Sequence, residues 1–373
     1  MLRNRACLLI PERPYCSGRR RTKCIVMVEL TRLLVLAGYQ RSGTTWLSNL
    51  INSSPEVIYR HEFFGRLWAK LPPELWQKLK QNHGITEVER HTVLETALTA
   101  HHEADRPPFF DKDHLVLSNP RLHHLMWMAT NVLPKLLSPL YRTLYQPRGR
   151  GSLLLIKETR SAVNLDSILA GLAPDLSLFV FRHPCGAIAS HLRGIASGRM
   201  QPPTAKQLKV FHAHNQSSLR SLAVEPSLEG WMQEPIERQL AAMWVAQNQR
   251  YLEMGKSITS IYLDYEAFYA ARQQATPLLL QAIGISFTEQ TGEFLNGSPT
   301  NRQSLLSRDS SSEFFSVYRQ QNFDPLGWQK QLTEAQVEAI MAVAAPAYET
   351  LQQRAWDCQV PPVPAIEAAQ PLN

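Results

Sequence analysis

The stretch Arg32-Leu33-Leu34-Val35-Leu36-Ala37-Gly38-Tyr39-Gln40-Arg41-Ser42-Gly43-Thr44-Thr45-Trp46 decides how this chain reads. Its first part is a β-type run that is apolar on both faces, as a strand buried inside a parallel sheet requires. A glycine-punctuated turn follows, and then Trp46, Leu47, Leu50 and Ile51 recur on one face of a helix over 44–52. A turn placed between strand and helix aims several backbone N–H groups at one point and adds the positive end of the helix dipole. It is therefore an anion site. Gly43 permits the turn, Ser42, Thr44 and Thr45 add hydroxyls, and Arg41 adds charge. The interval from Gly38 to Gly43 matches the GxxxxG opening of a P-loop, but Thr44 stands where a nucleoside triphosphatase carries its lysine.

Working outward, four more β-type runs appear at 57–59, 152–156, 177–181 and 258–263, alternating with helical patterns at 184–193, 235–254 and 333–353. Alternation of this kind specifies a three-layer α/β/α fold around a central parallel sheet, P-loop-like in its first unit. About ninety residues separate the second and third runs, far more than a crossover helix needs, so 65–150 is expected to be a helical insertion. Residues 27–357 then form the main domain, with 358–373 a polar tail and 296–324 a long loop.

At 373 residues, with 44% hydrophobic and 19% charged residues, the chain is long enough for a large core and is not of disordered composition. Its formal charge of +7 is uneven: residues 1–26 hold seven basic residues against Glu12, which leaves +1 for the rest. A near-neutral body argues against nucleic acid as a partner and makes any anion site depend on local residues. The basic leader fits a transit peptide, a nucleic-acid arm, or untranslated sequence with Met27 as the start; it is expected to be disordered or absent from the protein. Cys7, Cys16 and Cys24 lie in it, leaving Cys185 and Cys358, which make no disulfide framework and no CxxC pattern. With no apolar run of membrane-spanning length either, the expected location is cytoplasmic.

A second anion clamp can be read from Phe181-Arg182-His183-Pro184-Cys185-Gly186-Ala187-Ile188-Ala189-Ser190, again a strand end followed by a helix. Pro184 suits the first helical position. Ser190 falls 200° around from Ile188, on a face with Gly186, so a bare face is expected beside Arg182. The guanidinium and the hydroxyl together could hold a phosphate.

With both clamps in view, the chain resembles the sulfotransferases that use 3′-phosphoadenosine 5′-phosphosulfate (PAPS), and looks closest to the carbohydrate, tyrosyl-protein and bacterial types. Arg41-Ser42-Gly43-Thr44-Thr45-Trp46 is similar to the loop that holds the 5′-phosphosulfate in that family, with Gln40 where proline is usual. Arg182 and Ser190 match the pair that holds the 3′-phosphate. The resemblance implies sulfuryl transfer from PAPS to a hydroxyl or amine, with no metal. It is strongest over 32–64 and 152–194.

Sulfuryl transfer needs a base for the acceptor's proton and positive charge for the departing phosphate. Glu62, at the end of the second strand, and Lys157, at the end of the third, are the candidates, and His61 competes with Glu62 as base. Under this strand assignment the 38–45 loop, Glu62, Lys157, Arg182 and Tyr265 share the carboxyl edge of the sheet, where open α/β sheets bind ligands. Arg302, with Ser304 and Arg308, is expected to cover the adenine and the 3′-phosphate. Trp244 and Tyr251 read as core. The pairs His101-His102, His123-His124 and His212/His214 lack metal-ligand partners and are expected to be solvated or to face the acceptor. That acceptor, a carbohydrate, lipid, small molecule or protein, is not specified by the sequence. A P-loop kinase or nucleotide hydrolase is the rival enzyme class, and a non-catalytic nucleotide-binding protein is the third.

Overall fold

The computed structural model describes residues 29–81, 83–148, 150–159, 165–222, 224–297 and 324–362. The basic leader, Arg302 with the surrounding 298–323, and the end of the tail lie outside the described residues.

Five strands form one parallel sheet: β1 (Glu29–Gly38), β2 (Val57–His61), β3 (Arg150–Glu158), β4 (Leu176–Phe181) and β5 (Ser260–Asp264), in the order β2-β3-β1-β4-β5. Alternate residues of each strand feed two separate cores. Leu33, Val35 and Ala37 of β1 join Ile156 and Phe181 on one face, whereas Leu34 and Leu36 join Leu155 and Val180 on the other. This is why the strands read as apolar throughout: neither face meets water.

Helices cover both faces. The second face carries α1 (Thr44–Asn52), and five helices, α2 (Phe63–Leu67), α3 (Pro73–Lys80), α4 (Glu87–Leu98), α5 (Pro120–Val132) and α6 (Pro134–Tyr145), fill the expected insertion between β2 and β3. After β3 come α7 (Leu165–Leu172), then, beyond β4, α8 (Pro184–Ala196), α9 (Ala205–Arg220), α10 (Leu228–Gln233) and α11 (Ile236–Met254). Following β5, α12 (Tyr265–Ala270), α13 (Arg272–Ile283) and α14 (Glu289–Leu295) return to the α1 side. The last helix, α15 (Glu334–Arg354), starts with a reciprocal cap between Thr333 and Gln336 and packs on α8 and α11. Trp244 and Tyr251 of α11 are fully buried, as their spacing implied.

The strand order positions the site. Because β1 lies between β3 and β4, the turn after Gly38 emerges beside Glu158 on one side and Val180 on the other. Outside these, β2 pairs His61 with Lys157, and β5 pairs Asp264 with Phe181. Residues distant in sequence are thus delivered to one carboxyl edge.

Candidate active site

The phosphate-type loop is formed by two left-handed residues, Arg41 at φ 70° and Gly43 at φ 85°, around a turn closed by Ser42 N–H donating to the Tyr39 carbonyl at 3.1 Å. The first helical bond of α1 runs from the Leu47 N–H to the Gly43 carbonyl, so the amides of Thr44, Thr45 and Trp46 have no acceptor within the helix. The Trp46 indole turns into the core, edge-on to Tyr265, Phe268 and Tyr269, so only its amide can serve an anion. The buried Ser42 Oγ and Tyr265 hydroxyl find no hydrogen-bond partner among the described residues. A left-handed turn with unsatisfied amides and a stranded hydroxyl fits a phosphate or sulfate group.

Gly43 is required twice over. Its φ disfavours any side chain, and an added Cβ would stand 2.2 Å from the Tyr265 ring. Gly43→Ala is expected to cost about 2 to 4 kcal/mol from the left-handed backbone and the overlap together. A urea titration reads that loss.

The second clamp lies against the first. Arg41 Nε donates to Ser190 Oγ at 3.0 Å, and Arg182 Nη1 reaches the Arg41 carbonyl at 3.5 Å. The expected bare face of α8 is not bare. Arg182 Nε donates to Glu266 Oε1 at 3.1 Å and Nη2 to the Pro325 carbonyl at 3.0 Å, while Trp328 stacks on His183 with ring centres 4.5 Å apart. A Cβ on Gly186 would lie 2.9 Å from Arg182 Nε and 3.2 Å from Trp328. The glycine makes room for these side chains, a role sequence reading missed because Glu266 and Trp328 arrive from distant elements. Burial raises the pKa of Glu266, with Arg182 opposing.

Glu62 caps the amino end of α2 in a left-handed conformation, φ 51° and ψ 50°, which is strained for a residue with a side chain. Its backbone N–H donates to the Lys157 carbonyl at 2.7 Å, continuing the β2–β3 pairing into the cap. Its Oε1 accepts from Lys157 Nζ at 3.2 Å and Thr159 Oγ1 at 3.0 Å, and Oε2 lies 3.4 Å from Arg66 Nη2. Lys157 is only 2% exposed, and burial lowers its pKa while Glu62 holds it up. Sequence reading found the carboxylate and the ammonium but not Thr159, although it stands two residues after the lysine. Glu158 points elsewhere, accepting the N–H groups of Phe64 and Thr159 at 3.1 and 3.0 Å.

His61 Nε2 lies 3.7 Å from Glu62 Oε1, and burial, then Lys157, push its pKa well below the usual 6.5. The ring is neutral at pH 7. Its Nδ1 is 2.9 Å from the Tyr59 hydroxyl, which is 3.0 Å from Ser48 Oγ, and Ser48 Oγ donates to the Thr45 carbonyl at 3.0 Å. Carbonyls only accept, so the Ser48 proton goes to Thr45, the Tyr59 proton to Ser48, and His61 Nδ1–H to Tyr59. That assignment leaves Nε2 as the lone-pair nitrogen. The chain of bonds ties the helix of the anion loop to the Glu62 neighbourhood, and neither Ser48 nor Tyr59 was singled out from sequence.

Four of the six paired histidines are not solvated: His101, His102, His123 and His212 are buried, whereas His124 is half-buried and His214 exposed. His123 is stacked between Phe109 and Tyr145 at 3.9 and 3.8 Å and bonds the Tyr141 hydroxyl at 2.8 Å. Among the described residues no cluster of three or more metal-ligating side chains occurs. Beside β2, Tyr59, Arg106, Lys112 and His114 line a cavity of about 50 Å³.

The left-handed turn after β1, the arginine–serine pair after β4 and the buried carboxylate–ammonium pair between β2 and β3 thus meet at one edge of the sheet. Residues 34–289 match the sulfotransferase family, and the chain belongs to that family. Comparison with curated proteins returns no relative. Among solved structures it is similar to the sulfotransferase domain from the Synechococcus PCC 7002 olefin synthase, at 12% identity over 88% of this chain and 96% of that one, with a TM-score of 0.40.

Proposed function

We propose that the chain transfers a sulfuryl group from PAPS to an acceptor hydroxyl or amine, with Glu62 as the base. The observation that carries this reading is the Arg41–Ser190 hydrogen bond, which joins the turns after β1 and β4 at the sheet edge that also holds Glu62 and Lys157. One ligand can then engage both clamps. The 38–45 loop receives the phosphosulfate end, and Arg182 and Ser190 receive the 3′-phosphate. Glu62 takes the acceptor's proton, the acceptor oxygen or nitrogen bonds to sulfur, and the bond from sulfur to the bridging phosphate oxygen breaks in line. Lys157 and the loop amides bear the charge left on the nucleotide. Glu62 is preferred over His61 because burial beside Lys157 disfavours a protonated imidazole. The absence of a P-loop lysine supports this reading over a kinase.

Incubation with sulfur-labelled PAPS and a cell extract tests the reading: label should appear in an acceptor. Nucleotide retained without any transfer would favour a binding protein, and ATP turnover with magnesium a kinase. The second clamp has its own test. Arg182→Ala is expected to weaken 3′,5′-bisphosphate binding about 10- to 100-fold, and AMP binding far less, as loss of a charged hydrogen-bonding group at the 3′-phosphate predicts. Calorimetric titration of both nucleotides decides it, and equal losses would remove Arg182 from the site.

A further inference from the structure

The α5–α6 hairpin of the insertion carries an apolar surface that the catalytic reading does not use. The two helices are joined through Leu133 and run antiparallel, since His123 near the start of α5 meets Tyr141 and Tyr145 near the end of α6. Their inner faces close over these rings with Met126, Trp127 and Leu144. Their outer faces are not polar. Leu122, Leu125 and Val132 are 40%, 47% and 77% exposed, and Leu133, Leu136 and Leu140 are 52%, 71% and 46% exposed. Leu125 and Val132 lie seven residues apart, and Leu136 and Leu140 four, so each helix presents a stripe rather than scattered side chains. The most exposed of them, Val132 and Leu136, gather at the tip where the helices join.

Charge selects the partner. Between Asp113 and Glu158 there is no acidic residue, whereas Arg121, Lys135, Arg142, Arg148, Arg150 and Lys157 are basic. Lys135 sits in the apolar tip itself, and Arg121 and Arg142 stand on the exposed surface of the hairpin. An apolar tip that carries Lys135, on a hairpin whose other charged residues, Arg121 and Arg142 toward its base, are also cations, matches the interface of an anionic bilayer, where leucines enter the acyl boundary and lysine or arginine meets the headgroups. It does not match the chain's own basic leader, whose +6 it would repel. A second copy would bring a cationic face against a cationic face. No described helix is long and apolar enough to cross a membrane, so the contact is one of lying on the surface.

We propose that the α5–α6 hairpin docks the protein on anionic lipid surfaces, with the tip at Val132, Leu133 and Leu136 inserted and Lys135 at the headgroups. The hairpin stands close to the catalytic edge: Trp127 of α5 stacks under Arg106 and donates to the His102 carbonyl, and Arg106 is one of the charges acting on His61. Docking by this face brings the site near the bilayer.

Vesicle flotation of the full chain tests the proposal, using phosphatidylcholine vesicles with and without phosphatidylserine. Binding is expected only to the phosphatidylserine vesicles and should fall as salt is raised. The double variant Leu133→Ser/Leu136→Ser, altered at exposed positions and with the leader intact, is expected to lose at least about tenfold in partitioning. Its circular dichroism melt should equal that of the unaltered protein. Equal binding by the variant would assign lipid affinity to the leader and overturn the proposal, as would no binding by the unaltered chain. Light scattering after gel filtration covers the remaining occupant: a dimer that the double variant dissolves would give the face to a second copy and overturn the lipid assignment.

Discussion

Glu62→Gln is expected to reduce turnover by about 10² to 10⁴ while leaving affinity for the 3′,5′-bisphosphate nucleotide within a factor of about three, because a general base acts on the chemical step and not on the cofactor. Glutamine keeps a carbonyl oxygen that can still accept from Lys157 and Thr159, so the hydrogen bonds survive although the charge is lost. Loss of that charge also lowers the already depressed pKa of the buried Lys157. The alkaline limb of the pH–rate profile therefore moves to lower pH in the variant, since Lys157 must be protonated to bear the leaving group's charge. His61→Asn provides the contrast. If Glu62 is the base, this change costs turnover less than about tenfold, by loosening the Tyr59–Ser48 chain. Single-turnover rates with labelled PAPS separate the cases, and a larger loss in His61→Asn than in Glu62→Gln would transfer the base to the imidazole.

Most of the sheet was legible because every strand is buried on both faces, so its apolar run is continuous and its ends are marked by glycine, proline or charge. The turns after β1 and β4 were legible for a related reason: each is built from contiguous residues between a strand and a helix. Strand order was not, because the insertion of β3 between β1 and β2 is a pairing across about ninety residues that leaves no local pattern. The same limit hid the filling of the Gly186 face, where Glu266 and Trp328 approach from α12 and from the segment before α15. Tyr59 and His61 carried a faint signal. They alternate along β2 on the side that faces α1, so a partner such as Ser48 could have been sought there. His101, His102, His123 and His212 misled where polarity was taken as exposure. In an insertion packed from short helices, neutral imidazoles serve as flat, hydrogen-bonding core residues.

That use of histidine makes the fold sensitive to mild acid. Burial lowers the pKa of His101 and His191 to about 4, of His123 to about 3 and of His114 to about 2, and all four are under a tenth exposed. The native state keeps these rings neutral, whereas the unfolded chain protonates them as pH falls through about 6.5. Their contribution is therefore intact above that pH and is lost progressively below it, down to each native pKa. Near pH 5 the unfolded state binds close to one extra proton per ring, which is about 1.4 kcal/mol per pH unit each and about 5 kcal/mol per unit for the four. Against a total stability of about 5 to 15 kcal/mol, this predicts unfolding within one to three pH units below 6.5. Asp105 and Glu266, whose pKa values burial raises, act in the opposite sense, but only once pH approaches the carboxylate range. Urea midpoints measured from pH 7.5 to 5 should fall steeply. His123→Phe keeps a ring between Phe109 and Tyr145 and should flatten the slope by about one proton, or about 1.4 kcal/mol per unit. A slope unchanged in that variant would mean His123 titrates alike in both states, and a stability flat from pH 7 to 5 would refute the neutral core.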